Sequence, residues 1–107
     1  MAHRDWPPRP SLQAVRCSWL ARAGVELALL RLDRIDPLIS GNTWYKLAPH
    51  VAAARRLGAP GLISLGGAHS NHLHALAAAG ARFGFATVGL LRGHAQDTPT
   101  VRDLQGF

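Results

Sequence analysis

The chain reads as an α/β fold built from βαβ units around a parallel sheet, and three observations predict this. Two short apolar runs bounded by glycine, GLISL at 61–65 and ATVGLL at 86–91, have the length and character of buried parallel strands. A helical stretch over 70–82 lies between them, with Ser70 or His69 at its start and Gly84 just past its end. A second helical stretch, roughly 44–57, precedes the first run. The order helix–strand–helix–strand across 44–91 is that of parallel strands joined by right-handed crossovers.

From the N-terminus, residues 1–12 hold Pro7, Pro8 and Pro10 and read as an extended arm. Residues 13–23 have helical spacing at Val15, Trp19 and Leu20, with Gly24 to close the turn. VELALLRL, 25–32, reads as a strand. Pro37, Gly41 and Asn42 make 33–42 a loop. In the next helix Trp44, Leu47, Val51 and Leu57 form an apolar face. Pro49 lacks an N–H and crowds the preceding turn, so this helix is expected to begin near 48 or to kink. Gly58 and Pro60 end it, Gly66–Gly67 makes a tight turn after the 61–65 strand, and a last short helix starts at Thr98 or Pro99.

Composition narrows the function classes. With 107 residues, 48% apolar and 17% charged, the chain is one ordinary globular domain, not a low-complexity disordered one. No apolar run reaches the roughly 18 residues of a spanning helix. The first ten residues lack the profile of a secretory signal. A single cysteine, Cys17, allows no internal disulfide, which suits a reducing compartment and points to the cytoplasm. The net charge is +6, and each half of the chain carries +3. Charge spread so evenly argues against a nucleic-acid partner.

The stretch GLISLGGAHSNHLHA, 61–75, carries the chemistry. Two glycines let a ligand approach the backbone, and the N–H groups of a helix start favour an anion such as phosphate or carboxylate. Ser70 and Asn71 add side-chain donors there. A plain turn with Ser70 as cap accounts for the same residues equally well. The dinucleotide and P-loop patterns are absent. His69, His72 and His74 lack an acidic neighbour and the spacing of a metal motif, so no metal is expected. Lys46 is the single lysine, and a lone lysine beside a glycine loop can serve as an imine-forming nucleophile.

ISGNTWYKL (39–47), GLISLGGAHSNHLHALAAAGARFG (61–84) and VGLLRG (88–93) together resemble the pyridoxal-phosphate (PLP) enzymes of the 1-aminocyclopropane-1-carboxylate deaminase and D-cysteine desulfhydrase family. The likeness covers roughly residues 25–105 and implies an N-terminal fragment of the fold type II architecture, related to tryptophan synthase β. It assigns 13–47 to the first part of a large domain with its lysine loop and 48–107 to part of a small domain. It implies PLP as cofactor, held by Asn71 at the 3′-oxygen with Asn42 nearby. Ser70, Asn71 and His72 would receive the carboxylate of a small amino-acid substrate, and Ser70 and Lys46 would be the catalytic groups.

Two departures qualify that match. The family pattern is roughly G-N-K-x-x-K-L, and its first lysine, which forms the imine, stands here as Thr43. Threonine forms no imine, and Lys46 lies about one helical turn further on. The family's C-terminal part, with its phosphate cradle, has no counterpart in this sequence. The resemblance therefore implies a truncated, degenerate deaminase or desulfhydrase, ancestrally giving a 2-oxo acid and ammonia. The alternative is a non-catalytic α/β module that binds a small anion or a complementing C-terminal chain. Self-association is also open, since the 25–32 strand is expected to lack partners within the chain.

Overall fold

The computed structural model describes residues 9–107. Residues 1–8 of the expected arm lie outside the described residues. The elements are β1 (Ser11–Val15), α1 (Ser18–Ala23), β2 (Leu27–Arg31), a 3-10 turn (Leu32–Arg34), α2 (Thr43–Leu57), β3 (Gly61–Gly66), α3 (Asn71–Phe83), β4 (Ala86–Leu91) and α4 (Pro99–Leu104). They form a small mixed α/β domain with two separate two-stranded sheets, one antiparallel and one parallel.

The parallel pair is β3 with β4, joined through α3, as the two apolar runs predict. Ile63 faces Val88 and Leu65 faces Leu90 in its register. Alternation along the strands sends Leu62, Ser64 and Gly66 of β3 and Thr87, Gly89 and Leu91 of β4 toward α3. The contact is close because the residues are small. A methyl group on Gly80 of α3 would stand 2.3 Å from Thr87 Cγ2 and 2.8 Å from the Phe85 carbonyl oxygen. Leu73 lies under Gly89, and Ala75 to Ala79 are buried. Gly84, at φ 79°, ends α3 in the left-handed conformation glycine adopts without strain.

The core lies between α2, α3 and the 33–42 loop. Ile35, Ile39, Trp44, Leu47, Leu73 and Leu76 are all buried in it. The Trp44 and Phe83 rings pack tilted at 5.6 Å, and the Arg55 guanidinium sits 5.2 Å from the centre of the Phe83 ring.

Three sequence expectations are corrected. The helix expected over 13–23 forms only at 18–23, and residues 11–15, split in the reading between the arm and that helix, are strand. The segment SLQAV alternates with period two, and its pairing with β2 aligns Leu12 with Leu30 and Val15 with Leu27. That pairing satisfies backbone groups which a short isolated helix leaves to water. The 25–32 strand thereby gains an antiparallel partner. The third correction concerns the start of α2: it begins at Thr43 rather than near 48 and includes Pro49. Pro49 is on the exposed side of the helix, where water can serve the Tyr45 carbonyl that loses its donor.

The close approach of α3 to β4 yields a test. Gly80→Ala raises intrinsic helix propensity by about 1 kcal/mol. It is nevertheless expected to destabilise the fold by about 1–3 kcal/mol, because the added methyl meets strand and backbone. Urea denaturation decides it, and a more stable variant would show that the two elements can separate freely.

Candidate functional site

The sequence-predicted site residues gather around the N-terminus of α3 and the first turn of α2. At the end of β3, Gly66 and Gly67 have different uses. The space beside Gly66 is taken by the chain itself, since a methyl there would lie 2.7 Å from Ser70 Oγ and 2.9 Å from Leu73 Cγ. Nothing stands within 4 Å of a methyl on Gly67. The Ser70 amide donates to the Gly67 carbonyl at 3.1 Å, closing the turn. Ser70 Oγ then accepts the Leu73 N–H at 3.2 Å, so Ser70 caps α3.

Asn71 and His72 follow as the first two residues of the helix and diverge. Asn71 is exposed and lines a cavity of about 290 Å³. Its other walls are Ser40 with Pro37 and Leu38 from the loop, His74 from α3, and Thr100 and Asp103 from α4. The buried Thr98 fixes the start of α4 by donating to the Ala68 carbonyl and accepting the Val101 N–H at 3.1 Å. His72 is half-buried and turns the other way, its Nε2 2.8 Å from Ser64 Oγ on β3. It lines a second cavity of about 300 Å³, with Leu76, the β3 residues 62–64, and Lys46, Leu47 and His50 of α2.

Asn42 and Thr43 open α2. Asn42 is exposed, and its side chain makes no capping bond. Thr43 is buried at 7% exposure. Lys46 is exposed and opens on the His72 cavity, away from Asn71. Neither Ser64 nor His50 stood out in the sequence. The available signal was one hydroxyl in an otherwise apolar strand, a group that burial obliges to find a partner.

The histidines have separate surroundings. His72 bonds Ser64, His74 lies 4.0 Å from Asp103 and edge-on to the Phe107 ring, and His69 is exposed. Among the described residues no three His, Cys, Asp or Glu side chains are grouped to hold a metal ion. No described helix is long and apolar enough to cross a membrane. A wider cavity of about 460 Å³ lies between β1, α1 and β2, beside Cys17 and away from the α3 turn.

The loop that carries Ser40 and Asn42 is anchored by Asp36. Its carboxylate accepts from Arg82 of α3 at 2.6 and 3.3 Å and from the Leu38 and Ile39 amides at 2.9 and 2.8 Å. Burial pushes this carboxyl up, but Arg82 and the two amides outweigh it and hold it below the usual carboxylate range.

Among the described residues, those that the resemblance assigns to PLP are not brought to one cavity. Thr43, which the resemblance sets at the imine position, has no amine and is buried. The lysine and the asparagine that the resemblance assigns to the cofactor open on different cavities. Ser70 is engaged in capping. No protein-family model, curated protein or solved structure matches the chain.

Asp36→Asn should destabilise the fold by about 1–3 kcal/mol near neutral pH, because a charge-assisted clamp is lost at a largely buried position. The native carboxyl titrates below its unfolded value near 3.9. Its contribution is therefore present above about pH 4 and lost as pH falls through the lower folded value. Denaturant melts of both proteins across the acid range should show the gap closing; a gap independent of pH would assign it to packing.

Proposed function

We propose that the chain is a non-catalytic α/β module of PLP deaminase and desulfhydrase ancestry that works by receiving a complementing chain. The observation that carries this is the open face of the parallel sheet. Ile63, Leu65, Val88 and Leu90 point away from α3 and are 70, 61, 48 and 52% exposed. Parallel sheets are covered on both faces as a rule, because strands so apolar have no solvated side.

The shape of the face selects its occupant. Six-residue strands give a stripe about 20 Å long, and two strands make it about 10 Å wide. The 13 residues of α3, which cover the opposite face, span about the same 20 Å. One amphipathic helix of that size fits the open face. The β1–β2 ribbon supports the same reading. Leu12, Leu29 and Leu30 are 72, 48 and 54% exposed on it, and an isolated two-stranded ribbon is marginal alone.

The enzymatic reading, deamination or β-elimination on a small amino acid, is the weaker one, because Thr43 has no amine and Lys46 and Asn71 open on different cavities. The family relation rests on the motif residues at 39–47 and 61–93 and supplies the identity of the partner: a chain corresponding to the C-terminal part of such an enzyme.

Mixing the chain with that C-terminal part should give a heterodimer by sedimentation. Ile63→Lys with Val88→Lys should abolish it while leaving the isolated chain within about 0.5 kcal/mol of its stability, as exposed substitutions do. A complex indifferent to both lysines, or no complex, overturns the docking surface. Separately, the chain with PLP should show no visible imine absorbance and no turnover of D-cysteine or 1-aminocyclopropane-1-carboxylate. Imine absorbance lost in Lys46→Ala would overturn the non-catalytic reading.

A further inference from the structure

The cavity along the free side of β3 joins Lys46 and His72, which the family resemblance assigns to catalysis and to a substrate carboxylate, with Ser64, which that resemblance does not use. We propose that it binds a small amphiphilic carboxylate, with the head group at Lys46, Ser64 and His72 and a short apolar body against Leu47 and Leu76. The inference shares Ile63 with the docking surface but rests on Lys46, Ser64 and His72, which that surface does not include, so the two are tested by different variants.

Four observations converge on this ligand. The volume, about 300 Å³, lies at the lower end of ordinary small-molecule sites. Its polar groups are of one kind: Lys46, His50, Ser64 and His72 line it, and no acidic residue does. Lys46 makes no ion pair among the described residues. The rest of the lining is apolar, with Leu47 and Leu76 at its floor, each 3% exposed.

The Ser64–His72 pair supplies direction. At 2.8 Å the two groups share one hydrogen bond, and either can be its donor. When the imidazole carries its proton on Nε2, it donates to Ser64 Oγ, and the Ser64 hydroxyl hydrogen is released to point into the cavity. A carboxylate accepting that hydrogen completes a relay from imidazole to hydroxyl to anion, each bond polarising the next. Lys46 adds the charge. A single full cation with one relayed donor suits a monoanion better than a phosphate dianion. Bound carboxylate should therefore favour the Nε2–H form of His72, a consequence that can be read directly.

The test is a titration of the full chain with hexanoate, followed by amide and imidazole nitrogen NMR, with hexanol, hexylammonium and inorganic phosphate as separate arms. Hexanoate should shift the Lys46, Ser64 and His72 signals saturably and move the His72 ring nitrogens toward the Nε2–H pattern. Hexanol and phosphate should bind at least about tenfold more weakly, the worth of one charge-assisted hydrogen bond, and hexylammonium not at all. Lys46→Gln should weaken hexanoate about tenfold by the same measure, and Lys46→Arg should keep most of it. Ser64→Ala should remove the tautomer change even where some binding persists. Equal affinity for hexanoate and hexanol would leave only an apolar dent and overturn the proposal. So would phosphate binding as tightly as hexanoate, or hexanoate binding untouched by Lys46→Gln and Ser64→Ala.

Discussion

The parallel pairing of β3 with β4 constrains everything else in this molecule. Two parallel strands cannot be joined by a tight turn, so the chain must cross over, and α3 is that crossover. To lie on the sheet it must be small where it touches, hence the buried alanines and Gly80 against Thr87. One face of the pair is thus closed tightly by the chain's own helix. The other face, built from Ile63, Leu65, Val88 and Leu90, is more apolar and is left without a layer among the described residues. The asymmetry between these faces, more than any single side chain, is what the proposed partner answers.

The same crossover decides where polar groups can meet. Because β3 runs straight into the α3 turn, the first helical residues stand at the carboxyl end of the strand, the usual place for ligands in open α/β sheets. Successive helical residues diverge by about 100°. Asn71 therefore looks toward the loop and α4, and His72 looks back along β3 to Ser64. A site needing both side chains on one ligand has to bridge that divergence. Asp36 fixes the loop wall on the Asn71 side through Arg82, and α2 forms the wall on the His72 side. Two small cavities result where the motif alone suggested one.

What could be read from the sequence follows this division between local and distant determinants. The β3–α3–β4 unit was legible because its signals are local: short apolar runs, a serine cap and glycine past the helix end. The β1 strand was not, since Val15, Trp19 and Leu20 also fit a helical spacing and only pairing with β2, far along the chain, decides between them. Nor could the sequence decide whether α2 begins before Pro49 or near 48, because that depends on Pro49 facing water. In the site, Ser70 as a cap could be read from its place before an apolar helix. The Ser64–His72 bond could not, because its partners sit on different elements and meet only once α3 is laid on the sheet.

The two glycines at the turn show why the motif's presence does not fix its use. A glycine pair before a helix can admit a ligand to the backbone, or it can make room for the chain itself. Gly66 is of the second kind, for Ser70 and Leu73 fill the volume a side chain would need. Gly67 remains open, but the amide that a ligand would approach from Ser70 already donates to the Gly67 carbonyl. The serine oxygen is likewise committed to the helix as an acceptor. A turn whose serine amide and hydroxyl oxygen are used internally has less to offer an anion than its sequence suggests. By contrast, the hydroxyl of Ser64 shares a bond whose direction is free to reverse, and the Lys46 ammonium opens on the same cavity. The proposed binding capacity therefore lies two strand residues deeper than the glycine motif indicates, beside α2.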